Sequence, residues 1–143
     1  MKVIVLNGVA NTGKTTTLNL LNNLINPDNP ATNLREDDKY TFTYKGKTIS
    51  IATPGDDKAQ IEENIKRARK ENCDFLVTAS RTKGYGKELL REQFKDILFI
   101  EKNVADQQEQ DLVNKTQAAD LQAIIDGLII QLNAKEASAS PTP

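Results

Sequence analysis

Eight residues near the start of the chain carry the clearest chemistry: Gly8-Val9-Ala10-Asn11-Thr12-Gly13-Lys14-Thr15, which fit the spacing G-x-x-x-x-G-K-[ST]. The residue types suit the binding of a phosphate chain. Gly8 and Gly13 permit backbone conformations that a side chain would obstruct, so successive N–H groups can turn inward around phosphate oxygens. A helix beginning near Lys14 adds its unpaired N–H groups and positive dipole end. In such a loop the lysine, Lys14, reaches β- and γ-phosphates and the hydroxyl of Thr15 ligates Mg²⁺. Thr16 completes the expected contact set, residues 8–16.

The flanking elements are those such a loop needs. Val3-Ile4-Val5-Leu6 is a continuous apolar run, as in a strand buried on both faces. Leu18, Leu21 and Ile25 then recur at helical spacing. Asn26-Pro27-Asp28-Asn29-Pro30 breaks the helix, and residues 26–38 read as an exposed loop ending Arg35-Glu36-Asp37-Asp38. Tyr40, Phe42 and Tyr44 alternate with threonines, Lys45-Gly46 suits a tight turn, and Lys47 to Ala52 reads as the returning strand. After Thr53-Pro54-Gly55-Asp56-Asp57, a helix is expected to about Asn72, with Ile61, Ile65 and Ala68 on one face. Phe75-Leu76-Val77 predicts a buried strand, 80–86 a loop, Leu90 and Phe94 a short helix, and Ile97 to Ile100 a last strand. Residues 104–116 are polar, and a helical apolar stripe follows at Leu121, Ile125, Leu128, Ile129 and Leu132, weakened at Gly127.

Alternating strands and helices predict an α/β fold: one three-layer domain over residues 1–133, with about five mostly parallel strands and one antiparallel hairpin strand. Residues 134–143 are small, polar and proline-ended, and predict a disordered tail. Ligand is expected at the carboxyl ends of the parallel strands, where the glycine loop lies.

Composition narrows the function. The 143 residues carry a net charge of −1, weakly basic through residue 103 and acidic beyond, which argues against nucleic acid and membrane as partners. The basic helix face Lys66, Arg67, Arg69 and Lys70 has no interleaved aromatics and reads as solvated. There is no histidine, and the single cysteine, Cys73, excludes an intramolecular disulfide and reads as a packing residue. No stretch approaches membrane-spanning length, and a cytoplasmic protein is expected.

On the Walker A match and the order of elements, the chain resembles the P-loop NTPase superfamily. Walker A helix, hairpin and Pro-Gly turn resemble small GTPase domains, in which a D-x-x-G motif follows the third strand and contacts Mg²⁺ and the γ-phosphate. The corresponding residues here are Ala52-Thr53-Pro54-Gly55, with alanine in place of the aspartate. The guanine-reading [NT]-K-x-D is absent, so ATP is expected over GTP. Small P-loop kinases are similar in size and Walker A, and commonly hold the transferring phosphate with arginines. The resemblance therefore implies a Mg²⁺-dependent nucleoside triphosphate-binding protein that cleaves or transfers the γ-phosphate. Two alternatives stay open: a small-molecule or nucleotide kinase with a phosphate acceptor, and a regulatory module with little turnover and a protein partner.

Phosphoryl transfer needs charge neutralisation and an oriented nucleophile. Lys14 is expected to stabilise leaving charge. Asp56, after a strand at the same sheet edge, is the first choice to hold metal with Thr15 or to position water, although a helix-capping role fits it too; Asp57 is the better cap. Arg81 is expected to clamp phosphate from a loop, Ser80 to Gly86, that could move on its two glycines or be a plain connection; Lys83, Lys87 and Arg91 are further candidates. Asp37 and Asp38 read as a solvated charge run rather than metal ligands. Glu101 imitates a Walker B carboxylate on a strand expected to be far from the γ-phosphate.

Overall fold

The computed structural model describes residues 1–139. Its elements follow in the order β1 (Lys2–Asn7), α1 (Lys14–Ile25), β2 (Lys39–Tyr44), β3 (Lys47–Ala52), α2 (Lys58–Lys70), β4 (Phe75–Ser80), α3 (Tyr85–Gln93), β5 (Ile97–Glu101) and α4 (Gln110–Ala139). The five strands form one sheet in the order β2-β3-β4-β1-β5. All neighbouring pairs are parallel except β2 with β3. The antiparallel pair closes at Lys45-Gly46, where both residues take positive φ, 49° and 80°, as a two-residue hairpin turn requires.

Strand periodicity sends alternate residues of β1 to opposite layers. Ile4 and Leu6 pack with Leu18, Leu21 and Ile25 of α1 and with Ala118, Leu121, Ile125 and Ile129 of α4. Val3 and Val5 pack on the other face with Ile61, Ile65 and Ala68 of α2 and Leu90 of α3. The result is an α/β/α sandwich whose central strands are buried on both sides, which is why β1 and β4 read as unbroken apolar runs.

The strand order is left open by the sequence, and the end of α4 differs from the expected tail. Strand β4 lies between β3 and β1, so the Ala52-Thr53-Pro54-Gly55 turn leaves a strand that does not touch the one bearing the glycine loop. Helix α4 continues through Ala139, and the ammonium of Lys47 bonds both oxygens of Glu136 at 3.0 and 3.1 Å. Residues 134–139 are thus helical where their composition predicts a tail, and 140–143 lie outside the described residues. Gly127 has open space around it, so it interrupts no packing. Among the described residues no helix is long and apolar enough to cross a membrane.

Candidate functional site

The parallel strands β3, β4, β1 and β5 place four connections along one carboxyl edge: residues 53–57, 81–84, 8–13 and 102–109. The 8–13 loop is bent by left-handed residues at Asn11, φ 61°, and Gly13, φ 90°. Gly13 is the N-cap of α1, no side chain caps that helix end, and its first turn holds no acid. Its N–H groups and positive dipole end are therefore available to an anion.

Lys14 is buried, at 7 % exposure. Its ammonium donates to the carbonyls of Gly8 at 2.6 Å and Ser80 at 3.3 Å. Burial lowers its pKa from the usual 10.5; the charge of Asp56 opposes that shift and Arg81 adds to it. A cation held only by neutral carbonyls has charge to spare for phosphate.

A cavity of about 650 Å³ opens over this loop. The loop side is formed by Ala10, Asn11, Gly13, Lys14, Thr15 and Thr16, and Arg35, Asp56 and Arg81 line it as well. Of the sequence-predicted residues, Lys14, Thr15, Asp56 and Arg81 thus share one cavity. Gly8, Val9 and Thr12 are not among its lining residues; Thr12 instead closes the loop on itself through its hydroxyl and the Val9 carbonyl, 2.8 Å apart.

The route by which Asp56 arrives explains Gly55. A Cβ at Gly55 would lie 2.0 Å from the carbonyl oxygen of Ala79, so the chain crosses the end of β4 at a separation only glycine allows. That crossing spans the extra strand between β3 and β1. The turn is held from below by Asn64, whose amide donates to the Pro54 carbonyl at 2.6 Å. Asp57 caps α2 by accepting from the Gln60 N–H at 2.8 Å, and the Gln60 side-chain oxygen accepts from the Asp56 N–H at 2.9 Å, a capping-box exchange displaced by one residue. The carboxylate of Asp56 is left to pair with Arg81 Nε at 3.4 Å.

Asp37 is exposed, as a solvated charge run requires, but it also has partners in the fold. The Thr15 hydroxyl donates to Asp37 Oδ1 at 3.0 Å, and Thr53 Oγ1 lies 3.0 Å from the same oxygen. The loop that carries Asp37 is fixed by Asn19, fully buried on α1, whose amide donates to the carbonyls of Leu34 and Glu36, both at 2.9 Å. Asn19 in turn accepts from the Tyr40 hydroxyl at 3.0 Å. Burial and the neighbouring Asp38 push the Tyr40 pKa up to about 12, so that hydroxyl stays a donor.

Three amides and a carboxylate near the start of α4 complete the cavity: Gln107, Gln110, Asp111 and Asn114. Gln110 reaches the Thr12 carbonyl at 3.3 Å and Asn114 Oδ1 at 2.7 Å. A Cβ on Gly13 would lie 2.6 Å from Asn114 Oδ1, so α4 packs directly on the loop. The sequence reading missed this group; its polarity at 104–116 was visible, but not its place.

Glu101 lies away from the cavity lining and is already engaged. It accepts from Asn7 Nδ2 at 2.8 Å, and Asn7 accepts from Ser80 Oγ at 3.0 Å, a polar chain across the ends of β5, β1 and β4. Cys73 is buried and free, and burial, with the charges of Glu71 and Asp74, raises its thiol pKa to about 11, which leaves it protonated and unreactive at neutral pH.

Among the described residues no group of three or more Cys, His, Asp and Glu side chains could hold a metal. Mg²⁺ on a nucleotide needs less: one or two protein oxygens, with waters and phosphates supplying the rest. The Thr15 hydroxyl and the exposed Asp37 carboxylate meet that requirement.

Comparison with known proteins gives no match to any family model, curated protein or solved structure.

Proposed function

We propose that this protein binds a nucleoside triphosphate with Mg²⁺ over residues 8–16 and cleaves or transfers its γ-phosphate. The observation that carries the reading is the buried Lys14 together with Thr15 in one cavity at the mouth of an uncapped helix, with Asp37 reaching the Thr15 hydroxyl from beside that cavity. ATP is the expected nucleotide, because no guanine-reading motif follows β5.

When bound, Mg²⁺ neutralises phosphate charge, and Thr15 and Asp37 are the residues that would hold it. Lys14 exchanges its two carbonyl partners for phosphate oxygens and stabilises the charge that develops on the leaving group. Arg81, at the end of β4, clamps the transferring phosphate. Asp56 orients the attacking oxygen and keeps Arg81 in place through their ion pair. The amides of Gln107, Gln110 and Asn114, which line the same cavity, would be left for the ribose and base.

Thermal-shift titration with ATP, GTP, ADP and GDP, each with Mg²⁺, tests the reading, followed by turnover assays on those that bind. Stabilisation by the triphosphates and its loss in Lys14→Ala support it; full binding and turnover in Lys14→Ala would sink it.

A further inference from the structure

We propose that the smaller cavity beyond the Asp56–Arg81 pair is an acceptor site for a small hydroxyl-bearing anion, a phosphate monoester or a carboxylate. The inference rests on the nucleotide reading above and makes the reaction a transfer rather than a hydrolysis.

The cavity measures about 260 Å³ and lies between the first turn of α2 and the segment 83–87. Asp56 and Arg81 line both this cavity and the nucleotide cavity, so a molecule here would lie across one ion pair from the γ-phosphate. Its charged lining consists of Lys58, Arg81, Lys83 and Lys87 against Asp56 and Asp57. Asp56 pairs with Arg81 within this lining and Asp57 accepts the α2 cap bond, so four cations face two acids. Lys58 has a long 3.8 Å contact with Glu62 and Lys87 sits over the Phe99 ring. Lys83 has no ion-pair or ring partner among the described residues. The balance is an unneutralised positive surface that favours an anion.

The wall is shaped for an occupant. Gly84 adopts φ 123° and ψ 176°, a conformation restricted in practice to glycine, and turns the chain around the cavity. Tyr85 follows with 76 % of its surface exposed, an aromatic face on the same wall. Gly86 lets α3 approach α2 closely: a Cβ there would fall 2.3 Å from Ile61 Cδ1.

In the transfer, the acceptor hydroxyl oxygen forms a bond to the γ-phosphorus. The bond from that phosphorus to the β–γ bridging oxygen breaks, and its electron pair leaves with the nucleoside diphosphate. The hydroxyl proton passes to the Asp56 carboxylate and then to water.

The test is amide NMR on the full chain, first saturated with Mg-ADP and then titrated with glycerol 3-phosphate, glycerate and glycerol. At least one anion is expected to shift resonances of residues 56–58 and 83–87 while glycerol does not, and Lys83→Ala is expected to weaken that binding about tenfold. The arm that responds identifies the anion as phosphate or carboxylate. Equal shifts with glycerol, no shift with either anion, or unchanged binding in Lys83→Ala would overturn the acceptor site alone. Failure of Mg-ADP to shift residues 8–16 would instead overturn the nucleotide reading, and the acceptor site with it.

Discussion

The Thr15 hydroxyl donates to the Asp37 carboxylate at 3.0 Å, joining the first turn of α1 to a loop 22 residues further along the chain. The D-x-x-G pattern would place an aspartate at position 52, but Ala52 stands there. Its neighbour Thr53 instead meets Asp37. The carboxylate that meets Thr15 thus comes from the loop before β2, with Thr53 at the end of β3 beside it.

Asn19 is expected to hold that arrangement together. Asn19→Ala removes two bonds to loop carbonyls and one from Tyr40. Leaving buried polar groups unpaired costs about 1–3 kcal/mol, to be read as a lowered urea midpoint with an unchanged slope. The same variant is expected to weaken the Mg²⁺ dependence of ATP binding, which a purely structural role for Asn19 would leave intact.

Gly55→Ala is expected to disable the site without touching a ligand. The new methyl meets the backbone of Ala79, which cannot rotate away as a side chain can. The Pro54-Gly55 turn must lift from β4, at a cost of about 1–3 kcal/mol, and Asp56 moves with it. The Tm falls, and turnover falls further than the Tm alone explains.

The helical pattern of α1, the hairpin and the Asp57 cap were legible because each rests on neighbours within a few residues: the Leu18/Leu21/Ile25 spacing, the Tyr40/Phe42/Tyr44 alternation, and an acid three residues before Gln60. The contact of Asp37 with Thr15 was not legible, because it depends on Asn19 and Thr53, on α1 and at the end of β3, and nothing local separates Asp37 from Glu36 or Asp38. The place of Gln110 and Asn114 depends on how α4 crosses α1, which the apolar stripe alone does not fix. The insertion of β4 between β3 and β1 is likewise a matter of sheet order, and it is what makes Gly55 indispensable.

Lys102 makes stability depend on pH in a particular direction. It is 6 % exposed, its ammonium bonds the Asn103 carbonyl, and burial lowers its pKa from 10.5 to about 8. Below about pH 8 both folded and unfolded chains keep the proton, and the cost of burying the charge is present in full. Between pH 8 and 10.5 the unfolded chain binds more protons, so this group's contribution to stability rises with pH. Lys102→Met is therefore expected to be more stable than the parent at pH 7, with the difference shrinking toward pH 10.5 in paired denaturation curves.

The most direct measurement is calorimetric titration of ATP, with and without Mg²⁺, into the parent protein and Asp37→Asn. The parent is expected to bind Mg-ATP more tightly than free ATP. In Asp37→Asn, binding of free ATP is expected to hold while the gain from Mg²⁺ drops by about tenfold or more. An undiminished gain from Mg²⁺ in Asp37→Asn would contradict the assignment of Asp37 to the metal, and no ATP binding by the parent would contradict the site as a whole.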